Sequence, residues 1–385
     1  MVDFSLSESQ RAWRQHVRSF AQRHVLSRAD LDQHGHFPWE VYRAAFDAGL
    51  VTAGIPENVG GGGRPLLDLL LAAEELAYAD LGVATSSGVM TLAAAPLTYF
   101  GTETQRRLWL EPLTKHLRFA SFAWTEPEGS TNLYGRAAST VARPVTGGFE
   151  LRGVKSTITN ASVAQLFTVF ARIESDSTGL SCFVIPRDAP GVKTRAPYEK
   201  MGQRASDTGE LELDNVFVPA DQQIGQAGQG HQIAIRSLVR SRTGISAMAL
   251  GAARRARDLV IDYGHSRQTG DGRPLIEQQD YRYRVAEMEA EIEMLRALSW
   301  RAAWEVEHGS EGVKLSSCAK LVGGNVAVRI TGEAVEMLGA RGYLCSGKVE
   351  KLARDAKVLQ IYEGPQAVQK VLIADTATRR SRIGK

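Results

Sequence analysis

The stretch Ala137-Ala138-Ser139-Thr140-Val141-Ala142-Arg143-Pro144-Val145-Thr146-Gly147-Gly148-Phe149-Glu150-Leu151-Arg152-Gly153-Val154-Lys155-Ser156 decides how the middle of the chain folds. It reads as two strands, Ala137–Pro144 and Phe149–Ser156, joined at Gly147-Gly148, a tight hairpin turn. Working outward, further strand patterns fall at Phe119–Trp124, Leu166–Ile173, Leu180–Ile185, Val192–Arg195 and Glu210–Val218. Short strands separated by turns, with no helix between them, predict an antiparallel β-barrel or sandwich.

On both sides of this block the period is helical. Ser7 with Gln10 three residues on predicts a capping box, and Trp13, Val17, Phe20, Ala21 and Val25 then mark one apolar face. Helices are expected from Pro38 to about Gly49 and over Leu66–Tyr78, Gly82–Phe100 and Glu103–Leu113. The run Gly60-Gly61-Gly62-Gly63 reads as a flexible turn; a phosphate cradle would need a strand before it and Lys-Ser or Lys-Thr after it. Gly225, Gly228 and Gly230 read as a linker. Beyond them Ile233–Asp262, Glu277–His308, Val313–Leu338 and Gly364–Arg380 supply four helices, enough for a bundle. The expected organisation is an α+β multidomain chain: a helical domain over 1–118, a β-barrel domain over 119–222 and a four-helix bundle over 223–385.

The 385 residues are 43% hydrophobic and 23% charged, with 46 Lys plus Arg against 43 Asp plus Glu and a net charge of +3. That balance, with 7% aromatic residues and no basic stripe, excludes nucleic acid binding as the main task. Three separated cysteines without a CxxC pair argue against a zinc ribbon or disulfide framework and for a reducing compartment. Met1–Gln10 carries no apolar h-region, and Val83–Phe100 is broken by serines, threonines, Gly88 and Pro96, so neither a signal peptide nor a membrane span is expected. A cytoplasmic location follows as an expectation. His34 and His36 lack further ligands at metal spacing, no HExxH occurs, and no GxSxG elbow is present, so no metal site and no serine nucleophile are expected.

Chemistry enters with a set of ordered segments. They are Phe4-Ser5-Leu6-Ser7, Phe122-Ala123-Trp124-Thr125-Glu126-Pro127-Glu128-Gly129-Ser130, Gly153-Val154-Lys155-Ser156-Thr157-Ile158-Thr159-Asn160, Met201-Gly202-Gln203-Arg204-Ala205-Ser206-Asp207-Thr208, and Arg354-Asp355-Ala356-Lys357-Val358-Leu359-Gln360-Ile361-Tyr362-Glu363-Gly364. Together, and over nearly the whole chain, they resemble the acyl-CoA dehydrogenases. The resemblance implies a helical domain, a middle β-barrel and a C-terminal bundle, with FAD held between barrel and bundle and partly by a neighbouring subunit. It implies that Phe122, Trp124, Thr125 and Ser130 line the flavin, with Thr125 and Ser130 bonding the ring edge and the ligand, and that Thr157, Ile158 and Thr159 lie along the ring. Arg267 and Gln279 match cross-subunit cofactor contacts, and Glu336, Gly339 and Ala340 match a further cofactor element. Ser130, Ser241, Arg242, Tyr362 and Gly364 fall at substrate-side positions. The bland alternatives are strand threonines kept for β propensity and a Glu363 that merely caps a helix.

Glu363 is the implied base: it takes the proton beside the thioester carbonyl while a hydride passes from the next carbon to flavin N5. Desolvation by the acyl chain would raise its pKa, and the N-terminus of the helix opened by Gly364-Pro365 would pull the other way. The family's second location for a base falls on Ser241, which cannot serve. Several positions depart from the family pattern. Thr157 replaces an aromatic, and Glu336 replaces a glutamine, with Arg341 a candidate partner for its charge. Pro365 and Ala367 replace residues that touch FAD, the Arg267–Leu275 element has an extra residue and no Phe, and Val239 replaces an acidic residue near the pantetheine arm. The expected activity is dehydrogenation of an acyl thioester, on coenzyme A or an acyl carrier protein, to the enoyl thioester. Electron-transfer flavoprotein or a similar acceptor and a homodimer or homotetramer are the expected partners. The rivals are a flavin oxidase or monooxygenase on the same fold and a non-catalytic, flavin-free scaffold.

Overall fold

Ser7 opens the first helix as its spacing to Gln10 predicts. Its hydroxyl accepts from the Gln10 amide at 3.2 Å, and the Gln10 side chain accepts from the Ser7 amide at 3.0 Å. The computed structural model describes residues 5–129, 138–174, 179–309 and 311–378; Phe4, Ser130, Ala137 and Arg380 lie outside them. Helix α1 (Glu8–His24) buries Trp13, Val17, Phe20 and Ala21. It is followed by α2 (Trp39–Asp47), α3 (Leu66–Ala79), α4 (Leu81–Phe100) and α5 (Glu103–Lys115). By length and composition α4 could cross a membrane, but 78% of its apolar window is buried inside the protein, against the other helices. The four glycines between α2 and α3 form an ordered turn, not a flexible one: Gly61 donates to the Pro56 carbonyl, Gly62 to Thr52 and Gly63 to Ile55 at 2.9–3.0 Å.

The strands follow as β1 (Phe119–Ala123), β2 (Val141–Val145), β3 (Gly148–Thr159), β4 (Ala164–Ile173), β5 (Leu180–Pro186), β6 (Val192–Thr194), β7 (Thr208–Pro219) and β8 (Gln223–Ile224). They form one sheet in the order β6-β7-β3-β2-β4-β5-β8, with β1 attached to β4. The antiparallel barrel is corrected in two respects. Among the described residues β6 and β8 do not pair, so the sheet is open; and β1 and β2 both run parallel to β4, so it is mixed. Only strands joined by a tight turn are obliged to be antiparallel, and β1 arrives from α5 with no hairpin to set its direction. The hairpin at Gly147-Gly148 is present, pairing Val145 with Gly148.

The C-terminal part holds α6 (Gly230–Ser266), α7 (Gln279–His308), α8 (Gly312–Leu338), the short α9 (Ala340–Tyr343), α10 (Val349–Lys357) and α11 (Gln366–Thr378). Three of the expected bundle helices extend to within a few residues of their expected ends, and the fourth begins at Gln366. α10, which carries Arg354 and Asp355, was hidden in the motif. Buried carboxylates tie the outer helices together. Glu74 of α3 accepts from Arg254 of α6 at 2.7 Å and Arg296 of α7 at 2.8 Å, and Glu75 accepts from Arg14 and Arg18 of α1 at 2.7 and 2.9 Å. Burial alone would raise the Glu75 carboxyl, but these arginines outweigh it and hold it at about 2.

α6 meets α3 at Gly251, where a Cβ would sit 2.3 Å from the Glu74 carbonyl oxygen. Backbone cannot yield as a side-chain tip can, so Gly251→Ala is expected to destabilise the protein by about 1–3 kcal/mol. Urea unfolding of parent and variant measures this; an unchanged midpoint would refute the close crossing.

Candidate active site

Three side-chain-bearing residues with left-handed backbone, Thr157 (φ 53°), Gln203 (φ 49°) and Glu363 (φ 58°), face one cleft. A β-branched residue at positive φ is a conformational outlier, and strain of this kind collects where function over-determines the backbone. The cleft, about 880 Å³, lies between the edge of the sheet, the α3–α4 layer, α6 and the α10–α11 connection.

On the sheet side, the ladder between β3 and β7 slips between Lys155 and Ile158. Ser156, released from it, donates its amide to the Thr125 carbonyl at 2.9 Å, joining the segment after β1 to β3. Behind that segment sits a buried ion pair. Lys155, fully buried, donates to Glu126 Oε1 at 2.8 Å and to the Trp124 carbonyl at 3.3 Å. Glu126 also accepts from the Ser139 amide and hydroxyl and the Thr140 amide at 2.7, 2.8 and 3.0 Å. Burial would raise Glu126, but Lys155 and these donors hold it at about 2.

On the helical side, Glu363 faces the cleft part-exposed, while its Oε2 is buried and has no hydrogen-bond partner among the described residues. Burial raises its pKa above the usual carboxylate range; Arg242, a hydrogen bond from Ser241 and the charge of Lys320 oppose that rise without cancelling it. The turn itself is clamped. The Glu363 carbonyl accepts from Arg242 Nε at 3.2 Å and Gln369 Nε2 at 3.1 Å, and the Gly364 carbonyl accepts from Lys320 Nζ at 2.7 Å and Gln369 Nε2 at 2.9 Å. Gln203 is held by Thr85 Oγ1, which donates to its Oε1 at 2.7 Å, and by its own bond to the Asp355 carbonyl at 3.1 Å. Burial pushes the Tyr362 hydroxyl up to about 12 and Lys200, also in the wall, down to about 8.

Phe122, Trp124, Thr125, Thr157, Ile158, Thr159, Ser241, Tyr362, Glu363 and Gly364 all line this cleft, and Arg242 lies directly behind it. Ser130 lies outside the described residues. Arg267, Gln279, Glu336, Gly339 and Ala340 do not line it. They gather at the far end of the bundle, where α6 ends, α7 begins and α8 ends, and all five are exposed. Arg242 lies on α6 and Arg267 is the residue just past its last turn, 25 positions on, so the helix separates them by roughly 37 Å. Glu336 pairs there with Arg284 at 3.3 Å, not with Arg341, whose guanidinium stacks over Tyr263. Gln203, Lys200, Lys320 and Gln369 escaped the sequence reading. The first two lie beside or within a quoted motif, whereas the clamping pair gave no signal of its own. A smaller polar depression of about 220 Å³ beside Arg18, Glu75 and Arg254 holds none of the candidate catalytic, cofactor or substrate residues named from sequence.

The cleft suits a flat polycyclic cofactor: Trp124 and Ile158 give it apolar walls, Thr125, Thr157 and Thr159 give hydroxyl and main-chain groups, and the unpartnered Glu363 Oε2 faces the same space.

Known proteins match the chain over almost its full length. Family models described as acyl-CoA dehydrogenase N-terminal, middle and C-terminal domains match residues 7–116, 121–216 and 228–378. The probable acyl-CoA dehydrogenase YngJ of Bacillus subtilis (strain 168) is 33% identical over 97% of this chain and 99% of its own length. Butyryl-CoA dehydrogenase from Megasphaera elsdenii is 32% identical with a TM-score of 0.93, covering 98% of this chain and 100% of that one. The prolyl acyl carrier protein oxidase AnaB is 30% identical with a TM-score of 0.91, covering 97% and 100%.

Proposed function

Since the chain belongs to the acyl-CoA dehydrogenase family, an FAD-dependent group of oxidoreductases acting on CH–CH bonds, we propose that it dehydrogenates an acyl thioester to the enoyl thioester with Glu363 as the base. The observation that carries the proposal is the Glu363 carboxyl: strained backbone, clamped carbonyl, raised pKa, and an Oε2 with no partner among the described residues. A carboxylate so held is ready to accept a carbon-bound proton. When bound, FAD supplies the acceptor for the hydride that leaves the adjacent carbon. Phe122, Trp124, Thr125, Thr157, Ile158 and Thr159 would hold its ring, with Ser130 at the ligand end of the same segment. Ser241, Arg242, Tyr362 and Gly364 would order the thioester side, and the apolar α3–α4 wall would exclude water from the acyl chain.

The domain division 1–118, 119–222 and 223–385 belongs to this reading, and so does a cytoplasmic setting with electron-transfer flavoprotein or a like acceptor. The thioester is carried by coenzyme A or by an acyl carrier protein. Val239, buried on α6, offers the pantetheine amides no bond, and since both carriers present the same pantetheine arm it does not choose between them. Anaerobic flavin bleaching by matched coenzyme A and carrier-protein thioesters tests the activity and separates the carriers. A flavin that no acyl thioester bleaches would overturn the proposal.

Arg267, Gln279, Glu336, Gly339 and Ala340 sit too far along the bundle to serve the cleft of their own chain, so they complete the FAD site of a neighbouring copy in a dimer or tetramer. Arg267→Ala removes a guanidinium suited to the cofactor's pyrophosphate and is expected to lower flavin content per chain severalfold. Equal flavin content by absorbance, or a fully flavinylated monomer by light scattering, would count against the shared site.

A further inference from the structure

Lys320 is a lysine with no exposure, on α8, in the interior of a helical layer. A buried ammonium is costly unless several groups receive it, yet among the described residues it makes no ion pair with the nearby carboxylate. Among the described residues its hydrogen bond goes instead to the Gly364 carbonyl at 2.7 Å. That carbonyl and the preceding one, of Glu363, point into a pocket formed by Lys320, Arg242 of α6 and Gln369 of α11, each of them at most 2% exposed. Two consecutive carbonyls turned toward cations are the counterpart of the left-handed backbone at Glu363 and Gly364 (φ 58° and 90°). With the carbonyls drawn inward, the Glu363 side chain faces the cleft with its Oε2 unpartnered.

We propose that Lys320 is a positioning residue for the dehydrogenation: its buried ammonium, bonded to the Gly364 carbonyl, holds the turn that aims the Glu363 carboxylate into the cleft and supplies part of the field in which that carboxylate takes up a proton. The inference rests on Glu363 being the base. The groups facing that carboxyl are Ser241 and Arg242 from α6, Lys320 from α8 and Tyr362 beside it; Gln369 of α11 is uncharged. Arg242 and Lys320 both favour the ionised carboxylate, and burial opposes them. Burial also pushes Lys320 down to about 8, so it still carries its proton at neutral pH. Neutralising it removes one of two cations, and the Glu363 midpoint should rise.

The test uses the flavin-loaded parent, Lys320→Met, Lys320→Arg and Glu363→Gln. Infrared titration, with Glu363→Gln as the difference reference, reads the Glu363 carboxyl without any substrate. Stopped-flow bleaching by a thioester that reduces the parent then gives the pH profile of the proton-transfer step. Lys320→Met is expected to raise the carboxyl midpoint by about one unit, the low end for losing a close opposite charge, and to move the acid limb of the bleaching profile the same way. It should also slow bleaching at least tenfold, through misaimed geometry. Lys320→Arg keeps the charge and should restore the midpoint to near the parental value. A Lys320→Met protein with parental midpoint and rate overturns the inference, as does a Lys320→Arg protein that titrates like Lys320→Met. Should Lys320→Met fail to fold, Lys320→Arg decides: a parental midpoint supports the charge role and a raised one refutes it. If Glu363→Gln bleaches at the parental rate, the choice of base has failed instead, which is a separate result.

Discussion

Glu363→Gln is expected to retain FAD and fold while thioester-driven flavin reduction falls by roughly a hundredfold or more, the scale of a positioned base. The amide keeps the size and hydrogen-bonding capacity of the side chain but cannot accept the proton. The clamps on the turn are bonds to the main-chain carbonyls of Glu363 and Gly364, so they survive the substitution. No substitute is at hand. Among the described residues lining the cleft, Glu199 is the other carboxylate, and it is exposed, without the desolvation that raises Glu363. Ser241 carries no carboxylate. Glu336, the unusual carboxylate of the sequence, lies at the far end of the bundle, paired to Arg284. In the parent, the raised pKa of Glu363 sets the direction of the pH dependence: below it the carboxyl is protonated and cannot act as base, so bleaching should rise as pH climbs through it. Parental bleaching by the glutamine variant, with a verified thioester, would remove Glu363 from the mechanism.

Local signals made most of this legible. The capping box at Ser7, the glycine hairpin at 147–148 and the helical periods after Gly230 each report on a few neighbouring residues, and each recurs in the structure. The direction of β1 and β2 against β4 was not legible, because pairing partners far apart in sequence leave no trace in a strand's own composition. The site divides along the same line. The motif residues around Trp124, Thr157 and Glu363 converge on one cleft. Lys320 and Gln369 were invisible because their importance lies in two backbone carbonyls, and a carbonyl's partner is chosen by tertiary packing, not by residue type. Glu336 illustrates the converse. The sequence offers Arg341 as the partner of its charge, but tertiary packing pairs it with Arg284 of α7 instead.

The second large effect is expected from the buried pair behind the cleft. Lys155→Met leaves Glu126 without its cation but still holding the Ser139 and Thr140 donors, so the loss should fall near about 3 kcal/mol, the lower end for breaking a buried pair from one side. The attraction does not come free: burial pushes Lys155 down even as Glu126 pulls it up, and the pair as a whole contributes less than its single-sided loss suggests. Adding Glu126→Gln to Lys155→Met should therefore recover part of the stability, and the double-mutant cycle isolates the coupling. The sign of the pH effect is fixed by Glu126, whose carboxyl drops from 4.5 to about 2 on folding. Its contribution is complete above the unfolded value and is lost as pH falls from there through about 2, so the parent and Lys155→Met should converge in stability over that window. The same pair places the cleft wall, since Lys155 also bonds the Trp124 carbonyl and the next residue, Thr125, is tied to Ser156. Flavin absorbance in the variant should consequently show altered contacts at Trp124 and Thr125 even at saturating FAD. Urea unfolding with FAD saturating gives the stability; a loss below about 1 kcal/mol, the range of an exposed pair, would mean that Lys155 is not the cation that holds Glu126.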